Sequence, residues 1–447
     1  MTHRLLVLGA GYSGLAAARR AHDLARRERA DVTVTLVNAT PDFVERVRLH
    51  QVAAGQDVGV HSLAHALDGT GIDLVVGLVE GVDPDARAVT VRAGQGPRTL
   101  GYDSLILALG SSAGAGRVPG ADEHALTIAD LDGARAVAAR IAADRPERLV
   151  VVGGGLTGIE AASEIAESHP GIGVALVTGG EVAPGAGVRG RAHVRRVLHR
   201  LGVTVREHAR VEEVDAQGLL MADGERVPAD LVVWNAGFSA SGLPAAIGLA
   251  VDDDGRAMVD ASQRSLSHPD VLVVGDAAHT LGSSGAPLRM SCAMGLPMGW
   301  NAAEAVLARL AGRTPAAAPF GYLVQCVSLG RRDGLIQFVR ADDSPRPFHL
   351  AGGLAARVKE YIVAGAYDNA RTGGQAAVYL RVSRAVARRH LRREGARPGA
   401  VQRRAPSAGA AQRREPSTGA SKGASLGAAR KGRMTRSASG VDDKRSA

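Results

Sequence analysis

Short apolar runs that end in small residues recur along the chain, and helical spacing follows the first of them. Leu5-Leu6-Val7-Leu8 is continuous enough to be a strand buried on both faces. Gly9-Ala10-Gly11-Tyr12-Ser13-Gly14 comes next, then Leu15-Ala16-Ala17-Ala18, where a helix begins. Val32 to Val37 predicts a second strand, ending at Asn38. Ile72 to Val79, Ala88 to Arg92 and Ser104 to Leu109 are short strands separated by Asp83-Pro84-Asp85 and Gly94-Gln95-Gly96-Pro97. Their spacing predicts a three-stranded antiparallel meander closing on Gly110-Ser111. A helix is expected over 129–142. The opening pattern then returns, as Leu149-Val150-Val151-Val152 followed by Gly153-Gly154-Gly155-Leu156-Thr157-Gly158-Ile159-Glu160.

Further runs complete the alternation. Gly173 to Val177 is a strand ending at Thr178-Gly179-Gly180, residues 189–201 a basic helix, and 203–221 a set of short strands. Asp230 to Gly237 has the same small-residue exit as the run before Gly110. Val271 to Val274 ends in Gly275-Asp276. Residues 335–339 read as a strand, 354–363 as a helix and 376–393 as a basic helix. Strands alternating with helices predict an α/β fold with parallel sheets.

The two glycine stretches share the spacing G-x-G-x-x-G. In such a device the first glycine makes the tight turn, the second lets backbone N–H groups approach a pyrophosphate, and the third lets helix pack on strand. The helix N-terminus then faces the phosphates with its positive end. One copy is also compatible with a plain glycine turn. Two copies, Gly9/Gly11/Gly14 with Tyr12 and Ser13 between, and Gly153/Gly155/Gly158 with Leu156 and Thr157 between, imply two dinucleotides.

Length and charge add boundaries. The 447 residues exceed one compact core and suggest two or three domains. The net charge of +9 is uneven: residues 381–447 carry 18 Lys+Arg against 4 Asp+Glu, a net of +14, which leaves −5 for residues 1–380. The mildly acidic body argues against a shaped nucleic-acid site. Beyond residue 393 the chain is rich in Arg, Ala, Gly, Ser and Pro, with an imperfect repeat (403–409 against 413–419), and is expected to be disordered. Cys292 and Cys326 make no disulfide framework and fit a reducing compartment. No run of 18 apolar residues occurs, so a chain without transmembrane spans is expected in the cytoplasm, with the inner face of the membrane as a peripheral station. No Cys or His cluster suggests a metal centre.

Several single residues are candidates with a bland alternative beside each. Asn38 stands where an acidic residue would accept from a ribose hydroxyl; its amide oxygen can accept, or it can simply form the turn before Pro41. Arg48 is a candidate for the flavin or its pyrophosphate, with a surface arginine the better single reading. Thr178 ends the strand where an acid would select NADH, and neither Asp, Glu nor Arg is there to choose between NADH and NADPH. The Asp276 carboxylate can accept from a ribityl hydroxyl, or Gly275-Asp276 can be a turn. Glu160 follows the second glycine stretch in the first turns of its helix, where the helix dipole favours a glutamate in any case. Met290, Met294 and Met298 recur every four residues, as core or as the wall of an acceptor slot.

In this order the parts resemble the FAD-dependent pyridine-nucleotide oxidoreductases, in the branch of type II NADH:quinone oxidoreductases and apoptosis-inducing-factor-like reductases, over residues 1 to about 370. The resemblance implies that Gly9, Gly11 and Gly14 bind FAD, that the backbone of Val79 meets the adenine, and that Asp276 binds the ribityl chain. It implies that Gly153, Gly155 and Gly158 bind NAD(P)H and that Glu160 lies near the flavin–nicotinamide contact. It divides the chain into an FAD domain (1–115 and 240–312), an inserted NAD(P)H domain (116–239), a small C-terminal α+β cap (313–380) and a basic helix with tail (381–447). Two departures stand out. There is no C-x4-C beside the flavin, and Arg289 to Gly299 lacks the glutamine usual near the quinone. A relay through Cys292 and Cys326, 34 residues apart, would need close packing that sequence does not show.

The expected activity is oxidation of NAD(P)H through FAD, with a quinone as acceptor. Alternatives are reduction of a redox protein such as a ferredoxin, or a non-enzymatic anionic-surface or nucleic-acid binder with a regulatory flavin. The basic tail is expected to bind anionic lipid.

Overall fold

A computed structural model describes residues 1–393 apart from 95, 115–117 and 317–319. The chain divides into two units, 1–405 and 406–447; the second, and the repeat expected within 403–419, lie outside the described residues.

The opening run forms β1 (His3–Leu8), whose last four residues are fully buried. After the glycines comes α1 (Tyr12–Glu28), then β2 (Val32–Asn38) and the single-turn α2 (Leu49–Ala53). β3 (Asp73–Asp83), β4 (Ala88–Ala93), β5 (Gly96–Gly101) and β6 (Ser104–Leu107) follow. The second half opens with β7 (Ala125–Leu126), α3 (Leu131–Asp144), β8 (Arg148–Val152), α4 (Leu156–Ser168), β9 (Gly173–Val177), α5 (Val188–Arg200), β10 (Thr204–Arg206) and β11 (Leu231–Trp234). β12 (Val271–Val273), α6 (Cys292–Leu310), β13 (Val324–Ser328), β14 (Gly334–Val339), β15 (Pro345–Ala351), α7 (Gly353–Thr372) and α8 (Ala376–Arg393) complete it.

Two parallel sheets carry the fold. The first has order β12-β6-β1-β2-β3-β4-β5, parallel from β12 to β3 and antiparallel beyond. The second has order β7-β11-β8-β9-β10, parallel throughout. A three-stranded antiparallel sheet, β13-β14-β15, belongs to the C-terminal module.

The meander differs from expectation. Its third strand is β5, which begins inside the stretch read as a turn, whereas β6 pairs in parallel with β1 and β12 at the centre of the first sheet. All four β6 residues are buried, as a strand covered on both faces requires. α7 is also twice as long as expected, stopping only at Gly373 in the left-handed conformation.

α6 is set tightly against α1. A Cβ at Gly295 would meet Ser13 Oγ at 2.7 Å, and one at Gly299 would fall on the Ser13 carbonyl. Pro297 inside α6 cannot bond the Ala293 carbonyl; the Tyr379 hydroxyl of α8 donates to it instead at 3.4 Å. One proline thus fastens the C-terminal module to the first sheet's helices.

Candidate functional site

The two glycine devices are built alike. Gly9 (φ +94°) and Gly153 (φ +128°) hold conformations that side chains avoid, each donating its N–H at 2.8 Å to a carbonyl at the C-terminal end of the neighbouring strand, Val37 and Val177. A Cβ at Gly9 would meet Ala108 O at 2.5 Å, and one at Gly153 would meet Asn235 O at 2.8 Å. Gly14 and Gly158 press so closely that a Cβ would fall on the carbonyl of Gly9 or Gly153. The middle glycines are different: nothing lies within 4 Å of a Cβ at Gly11 or Gly155. Gly11 and Gly155 are also the N-caps of α1 and α4, with no side-chain cap and no acid in the first turn. Each helix therefore presents bare N–H groups and its positive end to open space, as an anionic diphosphate requires.

Other predicted residues gather at the first cradle. Gly275 (φ +70°) sits against Ser13, 2.7 Å from its Oγ to a would-be Cβ, and the Asp276 Oδ2 next to it accepts from Ser111 Oγ at 2.7 Å. Arg46 holds that exit from β6 by donating to the Ser111 carbonyl at 3.0 Å. Asn38 turns its amide oxygen onto the Ala10 N–H at 2.9 Å and its NH2 onto the Thr40 carbonyl at 2.9 Å, which orders the loop beside the cradle. Tyr12 packs edge-on against Phe43, ring centroids 5.1 Å apart. Val79 is half-buried in β3, opposite Val91 beside a bulge.

At the second cradle, Thr178 is buried against Gly154, and the half-buried Leu156 and Thr157 open α4. Asn235, at the exit of β11, has a buried Nδ2 with no partner among the described residues. Such an orphaned donor beside an open cradle fits a bound nucleotide. Sequence reasoning passed over it.

Arg48 is not a surface arginine. Its side chain is only 11% exposed and bridges Glu45 (3.3 Å) and Glu360 of α7 (2.6 Å). The buried carboxylate of Glu45 calls for such a cation, and Glu45 also takes His61 at 2.8 Å, whereas Glu360 reaches Arg48 from the exposed side.

Glu160 is the centre of a buried polar cluster. Its Oε1 accepts from the Ser328 N–H at 3.0 Å and from Lys359 Nζ; Lys359 Nζ also donates to Ser328 Oγ at 2.8 Å. His50 stands between two carboxylates, with Nδ1 3.8 Å from Glu160 and Nε2 4.0 Å from Glu164. Burial, reinforced by Lys359, Arg331 and Arg48, holds the His50 imidazole well below its usual range, so the ring is neutral at pH 7. Burial raises Glu164, against the opposing pull of Arg331, and Gln56 and Arg331 hydrogen-bond it at 2.6 and 3.0 Å.

Sequence reasoning missed Lys359, although a signal existed. It is the single lysine in residues 1–421, among dozens of arginines. Lysine and arginine are not equivalent in a buried site, because an ammonium is a compact donor that can pass on a proton, whereas a guanidinium does not.

Both cysteines feel Lys359 and Glu160, so they share this neighbourhood after all. Burial, with Cys326 beside it, pushes Cys292 up to about 12, and burial raises Cys326 as well. Both are thiols, not thiolates, which leaves neither a nucleophile. Met294 and Met298 are core residues at 1 and 2% exposure, and Met290, half-buried, precedes α6. No group of His, Cys, Asp and Glu among the described residues could hold a metal ion.

Comparison with known proteins fits this geometry. The family described as pyridine nucleotide-disulphide oxidoreductase matches residues 3–305. An NADH dehydrogenase-like protein of Mycobacterium tuberculosis is 32% identical, over 66% of this chain and 78% of that one. A type II NADH:quinone oxidoreductase of the same organism is 30% identical, over 72% and 76%. Two solved structures share the fold: the sulfide:quinone oxidoreductase of Aquifex aeolicus (TM-score 0.71, 17% identity, 83% of this chain and 92% of that one) and NDH2 of Plasmodium falciparum (0.68, 13%, 85% and 99%).

Proposed function

The chain belongs to the pyridine nucleotide-disulphide oxidoreductase family, and from that premise we propose that it is an FAD-dependent NAD(P)H dehydrogenase delivering electrons to a quinone. The observation that carries the reading is the pair of matched, uncapped glycine cradles with the buried Glu160–Lys359 pair. FAD would be held at Gly9, Gly11 and Gly14 with Asp276, and NAD(P)H at Gly153, Gly155, Gly158 and Thr178. On this reading residues 1–115 and 240–312 serve FAD, 116–239 serve NAD(P)H, and 313–380 form the cap.

FAD, when bound, supplies the two-electron chemistry between nicotinamide and acceptor. The protein supplies placement and charge. The N-termini of α1 and α4 attract the two diphosphates. Asp276, steadied by Ser111, offers a carboxylate oxygen to a ribityl hydroxyl. Glu160 and Lys359 form an ion pair in a nearly dry site, where electrostatic interactions are strong. The protonated state of Cys292 and Cys326 supports direct transfer to a small acceptor over a thiol relay.

The test is anaerobic mixing of yellow, FAD-loaded protein with NADH or NADPH, followed by a short-chain quinone. Bleaching by the nicotinamide and recolouring by the quinone are expected. Bleached protein that no quinone recolours, but a ferredoxin does, would overturn the quinone assignment.

We also propose that the basic C-terminal segment binds an anionic membrane surface. α8 exposes Arg381, Arg388, Arg389, Arg392 and Arg393, and each basic residue near such a surface contributes about 1 kcal/mol. No helix among the described residues is long and apolar enough to cross a membrane. Salt-sensitive co-sedimentation with anionic vesicles, lost on removing residues 376–447, is expected; equal binding without them would reject it.

A further inference from the structure

A cavity of about 480 Å³ lies on the outer side of the Glu160–Lys359 pair, between the β13–β14 connection and the start of α7. Ser328, Arg331, Arg332, Arg357 and Glu360 line it. Of these, Ser328 alone also touches both members of the pair, by its N–H to Glu160 and its Oγ to Lys359. Ser328 is 8% exposed and Lys359 5%, so Ser328 is the residue shared by cavity and pair.

Oxidation of NAD(P)H by a quinone consumes one proton: NAD(P)H + quinone + H⁺ gives NAD(P)⁺ + quinol. The hydride carries two electrons and one proton, and the second proton must come from water. Resting on the proposed dehydrogenase activity, we propose that Ser328 is the port through which that proton enters. Lys359 passes a proton to Glu160, from which the acceptor takes it. The Ser328 hydroxyl then rotates to give its own proton to Lys359 Nζ and takes one from water in the cavity. Each residue ends as it began, and one proton has moved inward.

The other branch of the cluster does not compete. His50 is completely enclosed and neutral, its contacts to Glu160 and Glu164 are 3.8 and 4.0 Å, and Glu164 is locked between Gln56 and Arg331. That branch ends on a guanidinium, which does not deprotonate in proteins. The arginines at the cavity are equally unable to carry the proton. A hydroxyl both donates and accepts, which is what a relay position needs. The charged or titratable groups around Lys359 are Glu160, His50, Cys292, Cys326, Glu360 and Arg331.

Two readouts on the full chain test this. Lysine-selective isotope labelling gives four side-chain signals, and loss of one in Lys359→Arg identifies Lys359. Ser328→Ala should slow exchange of its Nζ protons with water, and Ser328→Thr should restore it; no flavin turnover is involved. In the FAD-loaded enzyme, proton uptake in a single turnover with quinone, followed by an indicator dye, should fall roughly 10²-fold in Ser328→Ala. Bleaching by NAD(P)H, timed in the same samples, separates proton uptake from flavin reduction, and Ser328→Thr should again recover the rate of uptake. Ala356→Leu, which narrows the cavity from the α7 side and leaves the Ser328 hydroxyl in place, should slow uptake in the same sense. Exchange and uptake at wild-type rates in Ser328→Ala, or no recovery in Ser328→Thr, would overturn the port. Failure of wild-type enzyme to reduce quinones would defeat the activity reading alone, because the exchange measurement does not depend on it.

Discussion

Glu160 and Lys359 are 199 positions apart in the chain, yet they form an ion pair in which the carboxylate is 12% and the ammonium 6% exposed. The pair joins α4 of the second sheet to α7 of the C-terminal module. Removing one partner strands the other charge in a poorly hydrated place. Glu160→Gln and Lys359→Met should each lower stability by about 3–5 kcal/mol, whereas the double variant should recover most of the loss. Chemical unfolding of the three variants measures this. Additive losses would show that the two groups are not coupled.

The cradles predict separable defects. Gly14→Ala places a methyl group on the Gly9 carbonyl and should yield colourless protein that does not take up FAD. Gly158→Ala makes the same intrusion at Gly153 and should leave the protein yellow but raise the KM for NAD(P)H. The visible spectrum of purified protein and steady-state kinetics decide. A yellow Gly14→Ala variant with normal turnover would contradict the assignment of the first cradle.

Asp276 and Ser111 form the charged hydrogen bond at the first cradle. Asp276→Ala should weaken FAD retention, since a hydrogen bond to a charged group contributes roughly 1.5–3 kcal/mol. Ser111→Ala should weaken it less, because the carboxylate survives. FAD release on dilution, read by fluorescence, orders the variants; equal retention in all three proteins would remove Asp276 from the site.

His50 predicts an acid-side loss of stability. The folded protein keeps the imidazole neutral, while the unfolded chain protonates it near pH 6.5. Below about pH 6.5 the unfolded state binds the extra proton, so stability falls as pH falls, by at most about 1.4 kcal/mol per pH unit from this group. His50→Gln should flatten the dependence between pH 6.5 and 5 relative to wild type. Parallel curves for the two proteins would mean that His50 takes up its proton in the folded state.

The parallel strands and both cradles were legible in the sequence because each rests on local chemistry. A buried strand needs an uninterrupted apolar run, and a phosphate turn needs glycine where a Cβ has no room. Position 14, where a Cβ would strike Gly9, is legible for that reason. The polar cluster was not, because its members come from α2, α4, β13 and α7 and meet only after the module folds back. Arg48 was misjudged on the same ground: its partner Glu360 is 312 residues away. The third meander strand was lost because Gly96 and Pro97 read as a turn, while β6, taken for meander, owes its place to burial on two faces.

The scarcity of lysine has a practical side. The chain's lysines are Lys359, enclosed against Glu160, and Lys422, Lys431 and Lys444 near its far end. Among the described residues, reagents that couple to primary amines therefore meet one lysine side chain, and that one is enclosed. Neither nucleotide cradle contains a lysine, so amine-coupling chemistry should leave the residues of both unmodified and able to be titrated.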